Sequence, residues 1–307
     1  MWVVVLNWNG LPETLDCITS LKESDYAGLQ ILVVDNGSTE DPTPAISQLH
    51  PTVPVVRLPE NIGFTGGSNL GMQQAIIAGA KYVLLLNNDT VVASDCVSKM
   101  LTALEHDNSI GVANPKIYFF DPADHLWFAG GDFSLWTGIP IPRGRKKRDQ
   151  RQFDQRTQMT FATGCAFFVR VSALKAVGPF DDRLFAYCED VDLSLRLQKV
   201  GYQCRYVPEA MIWHKEAVSS KRNRGQSFRI RLSGRNALLV VRKHAKWYHY
   251  LGFVPNFLVR WVLFYTAHGL YKRDLASVAA VYQGVCDAIA GRVGPPAPQR
   301  VQSEASR

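Results

Sequence analysis

The chain of 307 residues has only six cysteines, and no two of them form a Cys-x-x-Cys pair. This spacing argues against a zinc ribbon and against a thioredoxin-type redox site. Scattered cysteines are typical of free, buried thiols in a reducing compartment. We therefore expect a cytoplasmic protein.

The sequence also lacks the uninterrupted apolar run of ~18 residues that a membrane-spanning helix needs. The nearest run, Phe253 to Leu270, is interrupted by Pro255, Asn256, Arg260 and His268. We expect this run to lie in a membrane interface rather than to cross a membrane. The N-terminus has neither a basic region nor a long apolar segment, so it does not predict a signal peptide.

Acidic residues are too few to balance the basic ones, and the formal net charge is +7. Such a charge favours an anionic partner: a phosphate-bearing ligand, an acidic membrane surface or a nucleic acid. Between Lys215 and Arg273 only Glu216 is acidic, and Trp and Tyr are interleaved with basic residues. This pattern suits an anionic membrane interface, single-stranded nucleic acid or a solvated helical face. The apolar residues from Trp261 to Tyr265 favour peripheral membrane contact, and we expect no nucleic-acid partner.

Apolar runs rich in β-branched residues alternate with helical patterns over the first third of the chain. The alternation predicts an α/β fold, a mostly parallel sheet flanked by helices. The runs are apolar throughout, as expected for strands buried on both faces. The predicted strands are Val3 to Leu6, Ile31 to Val34, Val53 to Leu58, Tyr82 to Leu86 and Ile110 to Ala113, and the predicted helices are Leu11 to Leu21, Ser68 to Ala78 and Val97 to Leu104.

The pattern changes after Lys116. An aromatic stretch with predicted hairpins is followed by a charged loop, and regular elements return near residue 160. The predicted elements there are strands near 167–169, 204–207 and 211–213 and a helix over 190–199. We divide the chain into 1–115 and 116–218, two halves of one α/β domain, a basic helical region 219–293 and a disordered tail 294–307.

Three of the predicted strands are followed directly by Asn or Asp. The segments after them are Asn7-Trp8-Asn9, Asp35-Asn36-Gly37 and Asn87-Asn88-Asp89. Ligands of parallel sheets bind beyond the carboxyl ends of the strands. Turns favour the same residue types, so two alternatives stand, ordinary turns and a converging site.

A glycine-rich stretch, Pro59 to Gly71, leads into the second predicted helix. A glycine-rich entry to a helix suits phosphate or another anion. The stretch is neither Gly-x-Gly-x-x-Gly nor a P-loop, and it follows the third strand rather than the first. The alternative is a tight loop in which Ser68 caps the helix.

Three carboxylates, Glu189, Asp190 and Asp192, stand within four residues of one another. Acidic residues favour the first turn of a helix, where they complement its dipole. The alternative is that one of them is a general base, because clustered carboxylates raise one another's pKa toward neutral pH.

His214 ends the last apolar run before the basic region. A histidine at a strand end is more often structural than a ligand. If its strand returns to the carboxyl edge of the sheet, His214 meets Asp89. Together with diphosphate oxygens, the two side chains would make a six-coordinate site for Mg²⁺ or Mn²⁺.

Six segments of the chain occur in a recognisable order: VVVLNWNG, ILVVDNGSTED, ENIGFTGGSNLG, VLLLNNDT, ATGCAFFVRVSALKAVGPFDDRLFAYCEDVDLSLRLQKVGY and WH. In this combination the chain resembles the family 2 glycosyltransferases, in particular their rhamnosyltransferase-like branch. The resemblance covers residues 3 to 214 and extends more weakly through Arg235 and Asn236. It implies a GT-A fold, a nucleotide-sugar donor, a divalent cation (Mg²⁺ or Mn²⁺) and inversion at the anomeric carbon.

The resemblance also implies roles for particular residues. Asn87 departs from the family pattern, because it replaces the first aspartate of an Asp-x-Asp motif and adds no charge. Asp89 stands at the metal-binding end of that motif, and His214 matches a metal ligand of some members. Asp190 matches the catalytic base, with Glu189 beside it. The rest form the donor pocket: Asn7, Asn9, Asp35 and Asn36 at the nucleoside, Asn61, Gly63 and Asn69 around it, and Asn87 and Asn88 toward the ribose, sugar and diphosphate.

These expectations describe an inverting glycosyltransferase, with donor binding in 1–115 and the acceptor and catalytic groups in 116–218. The donor is dTDP-rhamnose or a UDP-sugar, and the acceptor is a polysaccharide or lipid-linked saccharide at the inner face of the cytoplasmic membrane. One alternative, a nucleotidyltransferase, would need a glycine-rich loop after the first strand. The other, a non-enzymatic protein with a basic C-terminal region, would bind oligonucleotides in a salt-sensitive manner.

Overall fold

A ten-stranded sheet runs through the computed structural model, which describes residues 1–216 and 225–295. The strands are β1 (Trp2–Asn7), β2 (Gln30–Asp35), β3 (Val55–Arg57), β4 (Tyr82–Asn87), β5 (Thr90–Val92), β6 (Ile110–Phe119), β7 (Leu126–Phe128), β8 (Gly131–Ser134), β9 (Ile139–Pro142), β10 (Gln158–Met159), β11 (Ala166–Arg170) and β12 (Gln203–His214). Eight of them follow the order β10-β12-β6-β11-β4-β1-β2-β3, while β5 pairs with β12 and β7 with β6. Strands β8 and β9 form a separate hairpin.

Helices flank this sheet and continue beyond it. They are α1 (Leu11–Lys22), α2 (Thr43–Leu49), α3 (Gly63–Ile77), α4 (Cys96–His106), α5 (Val171–Val177), α6 (Glu189–Lys199), α7 (Gly225–His244), α8 (Tyr250–Phe257), α9 (Phe264–Tyr271) and α10 (Leu275–Ile289). A π-helical segment, Leu258–Leu263, joins α8 directly to α9.

The first four long strands confirm the predicted parallel arrangement, because β4, β1, β2 and β3 are parallel neighbours. The central residues of β1, β2 and β4 are buried on both faces, as the apolar runs predicted, whereas β3 at the edge of the sheet is only partly buried. The helix after β3 differs from the prediction. It begins at Gly63, so the glycines lie inside α3 and Ser68 does not cap it. A Cβ at Gly71 would lie 2.2 Å from Val4 Cγ1, so glycine allows α3 to pack closely on β1.

The second half of the sheet contains an antiparallel strand. β11 lies between β4 and β6 and runs opposite to both. β12 is one strand with an irregularity between Val207 and Met211 rather than the two strands predicted there. β5 pairs with the end of β12, with Thr90 opposite His214. This pairing brings His214 beside the residues that follow β4.

The C-terminal region is helical and basic, as predicted. α7 packs against α10 and also contacts α6, which links this region to the sheet domain. Among the described residues, no helix is both long enough and apolar enough to span a membrane. Of the tail predicted to be disordered, 294–307, residues 296–307 lie outside the described residues, as do Lys221, Arg222 and Arg224, whereas Gly294 N donates to Arg183 O at 2.8 Å. All six cysteines are unpaired, and Cys286 is exposed rather than buried.

Candidate active site

A cleft of about 390 Å³ opens at the carboxyl ends of β1, β2 and β4. One side is the strand-end wall, which we define as the residues at those three ends. The other side is the loop wall, residues 185–190, which lead into α6. Further lining comes from Asn61, Phe64, Trp127, Thr163, Gly164, Cys165, His214, Glu216, Phe228 and Arg229. Thus the three Asx-rich strand ends do converge on one site.

Two of the predicted donor-binding residues, Asn7 and Asp35, form a buried network beneath the strand-end wall. Asn7 Nδ2 donates to Asp35 Oδ1 at 2.7 Å. Asn7 Oδ1 accepts from Thr14 Oγ1 at 2.9 Å and from Asn88 Nδ2 at 3.3 Å. Neither Asn7 nor Asp35 lines the cleft. Their contacts join the ends of β1, β2 and β4, so they support the wall from below.

Asn9 and Asn69 also lie outside the cleft lining. Asn9 is exposed, and its Oδ1 accepts from Thr39 N at 2.8 Å. Asn69 Nδ2 donates to Phe180 O at 2.9 Å and to Asp182 Oδ1 at 2.7 Å. Asn69 therefore ties α3 to the segment that precedes the loop wall.

Asn36 and Asn61 line the cleft on the side of β2. Asn36 Nδ2 donates to Gly63 O at 2.9 Å, and Asn61 Oδ1 accepts from Gly63 N at 2.9 Å. Gly63 has a φ of 91°, and a Cβ there would lie 2.5 Å from Phe185 O. Glycine at this position thus lets the start of α3 approach the loop wall.

The segment after β4 contributes three neighbouring side chains. Asn87, Asn88 and Asp89 all line the cleft. Asn88 Nδ2 donates to Gly10 O and Thr14 Oγ1, both at 3.0 Å, and so holds the start of α1. Asp89 Oδ1 lies 3.0 Å from His214 Nε2, a contact across 125 residues of sequence.

The Asp89–His214 pair supplies one oxygen and one nitrogen donor in the cleft. Burial acts to lower the pKa of His214, but its contacts with Cys165 and Asp89 outweigh burial and raise this pKa well above its ordinary value. His214 Nδ1 is buried with no hydrogen-bond partner in the described part of the chain. The described residues contain no group of three or more His, Cys, Asp or Glu side chains placed to hold a metal. The pair can offer two ligand atoms to a divalent cation once His214 has lost its proton, and such a cation would need its other ligands from outside the protein.

The two acidic residues at the start of α6 line the cleft beside Gly164. Asp190 accepts from Gly164 N at 3.0 Å and from Val191 N at 2.8 Å. Burial raises the pKa of Asp190, and these backbone hydrogen bonds oppose the rise. Burial and the charge of Asp190 raise the pKa of Glu189 well above its ordinary value. The two carboxyls differ in their contacts, because backbone N–H groups bind Asp190 while Glu189 Oε2 is buried with no hydrogen-bond partner in the described part of the chain.

The expectation that all three clustered carboxylates raise one another's pKa is wrong for Asp192. Its side chain is fully buried and contacts His244, Lys243 and Arg196 at 2.7 to 3.0 Å. Burial raises the pKa of Asp192, but these three partners outweigh burial and lower it. Residues two apart on a helix are separated by about 200°, so Asp190 and Asp192 face different surroundings. Asp192 joins α6 to α7 instead of lining the cleft.

Several lining residues were not predicted as site residues. Trp127 contacts the His214 ring edge to face, with 4.7 Å between ring centroids. Phe185 and Phe228 bring aromatic rings to the other side of the cleft, 6.3 Å apart. The aromatic content of residues 119–136 hinted at Trp127. No local pattern marks Phe185 or Phe228, because the fold alone brings their segments together.

The sheet order and the site at the ends of β1, β2 and β4 define a GT-A fold, the fold of nucleotide-diphospho-sugar transferases. Among solved structures, GalNAc-T7 with UDP, GalNAc and Mn²⁺ is similar to this chain, with a TM-score of 0.61, 17% identity and coverage of 78% of this chain and 47% of that one. A mannosyltransferase from Pyrobaculum calidifontis, in complex with GDP-Man and Mn²⁺, is similar with a TM-score of 0.55, 14% identity and coverage of 94% and 74%. The chain belongs to glycosyl transferase family 2, whose family model matches residues 2–178.

Two curated relatives with named activities are similar to this chain. The chain is 28% identical over 240 residues to N-acetylglucosaminyl-diphospho-decaprenol L-rhamnosyltransferase of Mycobacterium tuberculosis, with coverage of 72% of this chain and 78% of the relative. It is 25% identical over 222 residues to an N-acetylglucosaminyltransferase of Mesorhizobium japonicum, with coverage of 68% and 50%. The chain therefore spans about half of the second relative's length. The predicted family and fold are confirmed.

Proposed function

We propose that this protein is an inverting glycosyltransferase that moves a sugar from a nucleoside diphosphate to a saccharide hydroxyl. The observation that carries the proposal is the position of Asp190. Its carboxylate lines the cleft, is held by Gly164 N at 3.0 Å and has a raised pKa. A carboxylate held in place with a raised pKa suits a general base.

In the proposed reaction, the acceptor hydroxyl oxygen attacks the anomeric carbon of the donor sugar. The new carbon–oxygen bond forms as the bond to the diphosphate breaks on the opposite face, which inverts the configuration. The hydroxyl proton passes to Asp190, and the electron pair of the broken bond leaves with the nucleoside diphosphate. Glu189 lies beside the base, and burial together with the charge of Asp190 raises its pKa, which favours its neutral form.

We assign the donor to the strand-end wall. Asn36 and Asn61 would contact the nucleoside, while Asn87 and Asn88 would contact the ribose, sugar or diphosphate. Asp89 and His214 would hold Mg²⁺ or Mn²⁺, and the bound cation would offset the negative charge of the diphosphate. Two solved structures of the same fold contain Mn²⁺, which supports a cation of this kind.

The proposed donor is dTDP-rhamnose, because the Mycobacterium tuberculosis relative is an L-rhamnosyltransferase. A UDP-sugar is the alternative, since the Mesorhizobium relative is an N-acetylglucosaminyltransferase. The name of the first relative also supports a lipid-linked saccharide as acceptor.

The first experiment tests this assignment directly. We expect calorimetry with dTDP-rhamnose, UDP-N-acetylglucosamine, UDP-galactofuranose and GDP-mannose to find one donor that binds more tightly when Mg²⁺ or Mn²⁺ is added. That donor should then support transfer to a polyprenyl-diphosphate-linked N-acetylglucosamine. If no nucleotide sugar bound with either metal, the proposed function would be wrong.

We also propose that the protein works at a membrane surface. The continuous helix from Tyr250 to Tyr271 buries Phe253 and Phe257 against the rest of the chain. Its other side is apolar and exposed. The membrane face, as we define it, consists of Trp247, Leu251, Val254, Leu258, Val259, Leu263, Phe264, Leu270, Tyr271 and Leu275.

The charges around the membrane face favour an anionic lipid surface. Lys246, Arg260, Lys272 and Arg273 are exposed beside it, and residues 246–273 contain no Asp or Glu. A helix with an apolar face and flanking cations lies in the interface plane of anionic bilayers. Such a position would place the cleft near a lipid-linked acceptor.

Vesicle co-sedimentation tests the membrane face. We expect binding to phosphatidylglycerol-containing vesicles, and we expect Leu258→Glu to weaken it about tenfold, as loss of one buried leucine predicts. Ile77→Glu is the control, because Ile77 is also apolar and exposed but lies at the end of α3. Vesicle binding unchanged by Leu258→Glu would contradict the assignment, and so would preferential binding to an oligonucleotide.

A further inference from the structure

The loop wall has an unusual backbone. Phe185, Tyr187 and Cys188 have positive φ angles of 65°, 72° and 67°, although none is glycine. At Phe185 the ψ angle is −55°, and Ala186 N donates to Leu184 O at 2.7 Å. These values describe a γ-turn of the rare, strained kind. A loop of this shape persists only where its surroundings hold it in place.

Asn236 of α7 is one source of that support. Its Nδ2 lies 2.9 Å from Leu184 O and 2.8 Å from both Ala186 O and Tyr187 O. An amide nitrogen carries two hydrogens, so the three carbonyl groups share them. The Asn236 side chain is fully buried. Asn236 therefore binds the backbone oxygens of the turn directly and does not merely pack against its side chains.

Arg235, the preceding residue, holds the same loop from the side. Its Nη2 donates to Leu184 O at 3.0 Å and to Arg183 O at 3.4 Å, and its Nη1 donates to Gly294 O at 2.6 Å. Arg235 Nε donates to Asn236 Oδ1 at 2.9 Å, which orients the amide.

Arg235 carries a buried positive charge, which must be compensated by its surroundings. Arg235 is 1% exposed, and none of the ion pairs within 4.0 Å among the described residues includes it, so the charge of Asp287 acts on it only from a distance. Burial of a cation without an acidic partner is costly unless hydrogen bonds compensate it. Here backbone carbonyl groups of the loop and of Gly294 supply that compensation.

The opposite side of the loop is held by α3. Phe185 O accepts from Thr65 N at 3.2 Å, and glycine at position 63 leaves room for that oxygen. The strained turn is thus held between α3, which borders the strand-end wall, and α7. The acidic residues Glu189 and Asp190 follow directly in the chain.

We propose that Arg235 and Asn236 are positioning residues for the transfer reaction. They hold residues 184–188 in the strained conformation and thereby fix where Asp190 stands in the cleft. The inference rests on the proposed role of Asp190 as the base. Both residues lie outside residues 2–178, the part that the family model matches.

The test uses the full chain with Asn236→Ala, Asn236→Asp and Arg235→Lys. Asn236→Asp keeps the volume but turns an acceptor oxygen toward the three carbonyl groups, so it separates hydrogen bonding from cavity formation. Arg235→Lys keeps the charge but loses the planar fork, and it is the milder variant. We expect kcat to fall about 100-fold in both Asn236 variants, because small misplacements of a reacting group have effects of this size. Calorimetric affinity for the nucleoside diphosphate with metal should change less than about twofold, since the strand-end wall is intact.

Val240→Ala is the matched control. Val240 is equally buried on α7 but makes no hydrogen bond to the loop. If Asn236 had only a structural role, Val240→Ala would lower kcat as much as Asn236→Ala at equal loss of stability. That result, or full kcat in the folded Asn236→Asp variant, would overturn the proposal. Arg235→Lys should lie between the wild type and Asn236→Asp in kcat.

Hydrogen exchange separates this inference from the proposed function. In Asn236→Ala, the amides of residues 184–192 should exchange at least about tenfold faster, while the amides of β1 and β4 stay unchanged. Val240→Ala should leave the loop amides protected. Protected loop amides in Asn236→Ala would overturn the positioning role even if the enzyme transferred sugar normally. Faster exchange without any transfer activity in the wild type would contradict the proposed function alone.

Discussion

The strand-end wall and the loop wall of the cleft are stabilised over different distances. The strand-end wall rests on Asn7, Asp35 and Asn88, which bond to one another where neighbouring parallel strands end. The loop wall rests on Arg235 and Asn236, which belong to a helix beyond the sheet domain. One wall is built from regular strand geometry, and the other needs a strained turn held from outside. We infer that changes in the first wall alter donor binding, while changes in the second alter the rate of transfer.

The largest expected effect is that of Asp190→Asn in the loop wall. Loss of a general base lowers kcat about 10²- to 10⁴-fold. Donor affinity should persist, because the strand-end wall is unchanged. The measurement is a transfer assay together with calorimetry on the same preparation, with Asp25→Asn as a control for an exposed carboxylate. Normal transfer by Asp190→Asn would show that Asp190 is not the base. It would also contradict the proposal that the loop wall sets the rate of transfer while the strand-end wall sets donor binding.

The next effect concerns the link between α6 and α7. Asp192→Ala leaves Lys243, Arg196 and His244 around an empty, buried site. Removal of one partner from a buried ionic cluster lowers the free energy of unfolding by about 3 to 5 kcal/mol. Urea unfolding of Asp192→Ala measures it, with Glu105→Ala on the exposed side of α4 as the control. A loss no greater than that of the control would mean that the cluster does not hold α7 on α6.

His214→Ala tests the strand-end side of the comparison. We expect metal-dependent donor affinity to fall about 10- to 100-fold, within the range found for metal-site changes. Donor affinity in the absence of metal should change little, because Asn36 and Asn61 are untouched. The control is His50→Ala, which alters a histidine away from the cleft lining. Unchanged metal affinity in His214→Ala would count against the Asp89–His214 pair as a metal site.

The same contrast explains how far the sequence could predict the site. The ends of β1, β2 and β4 were predictable, since apolar strands of a parallel sheet end at a common edge. The sequence did not show that Asn7 and Asp35 would bond to each other beneath the cleft, because both residue types also contact ligands directly. The sequence alone could not predict that Arg235 contacts the loop wall. Its partners lie about fifty residues earlier in the chain, and only the packing of α7 brings them together.

Asp190 and Asp192 provide the smallest and most specific test, because their pKa values shift in opposite directions on one helix turn. Burial raises the pKa of Asp190, so the folded chain loses stability as pH rises from the ordinary Asp value of 3.8 through the folded-state pKa. Asp190→Asn should therefore become more stable relative to the wild type as pH rises above 3.8 toward the folded-state pKa. The lowered pKa of Asp192 gives the opposite sign: its contribution is complete above 3.8 and is lost as pH falls through the folded-state value.

The measurement for this pair is urea unfolding of the wild type, Asp190→Asn and Asp192→Asn across the pH range, with Asp25→Asn as an exposed control. The deficit of Asp192→Asn should be full at neutral pH and shrink on acidification. The acidic limb of kcat/KM in the wild type should lie above the ordinary Asp value, because the base is active only when it is ionised. Parallel pH profiles for the two variants would mean that the two carboxylates share one environment. In that case the distinction between a cleft-facing base and a buried link to α7 would fail.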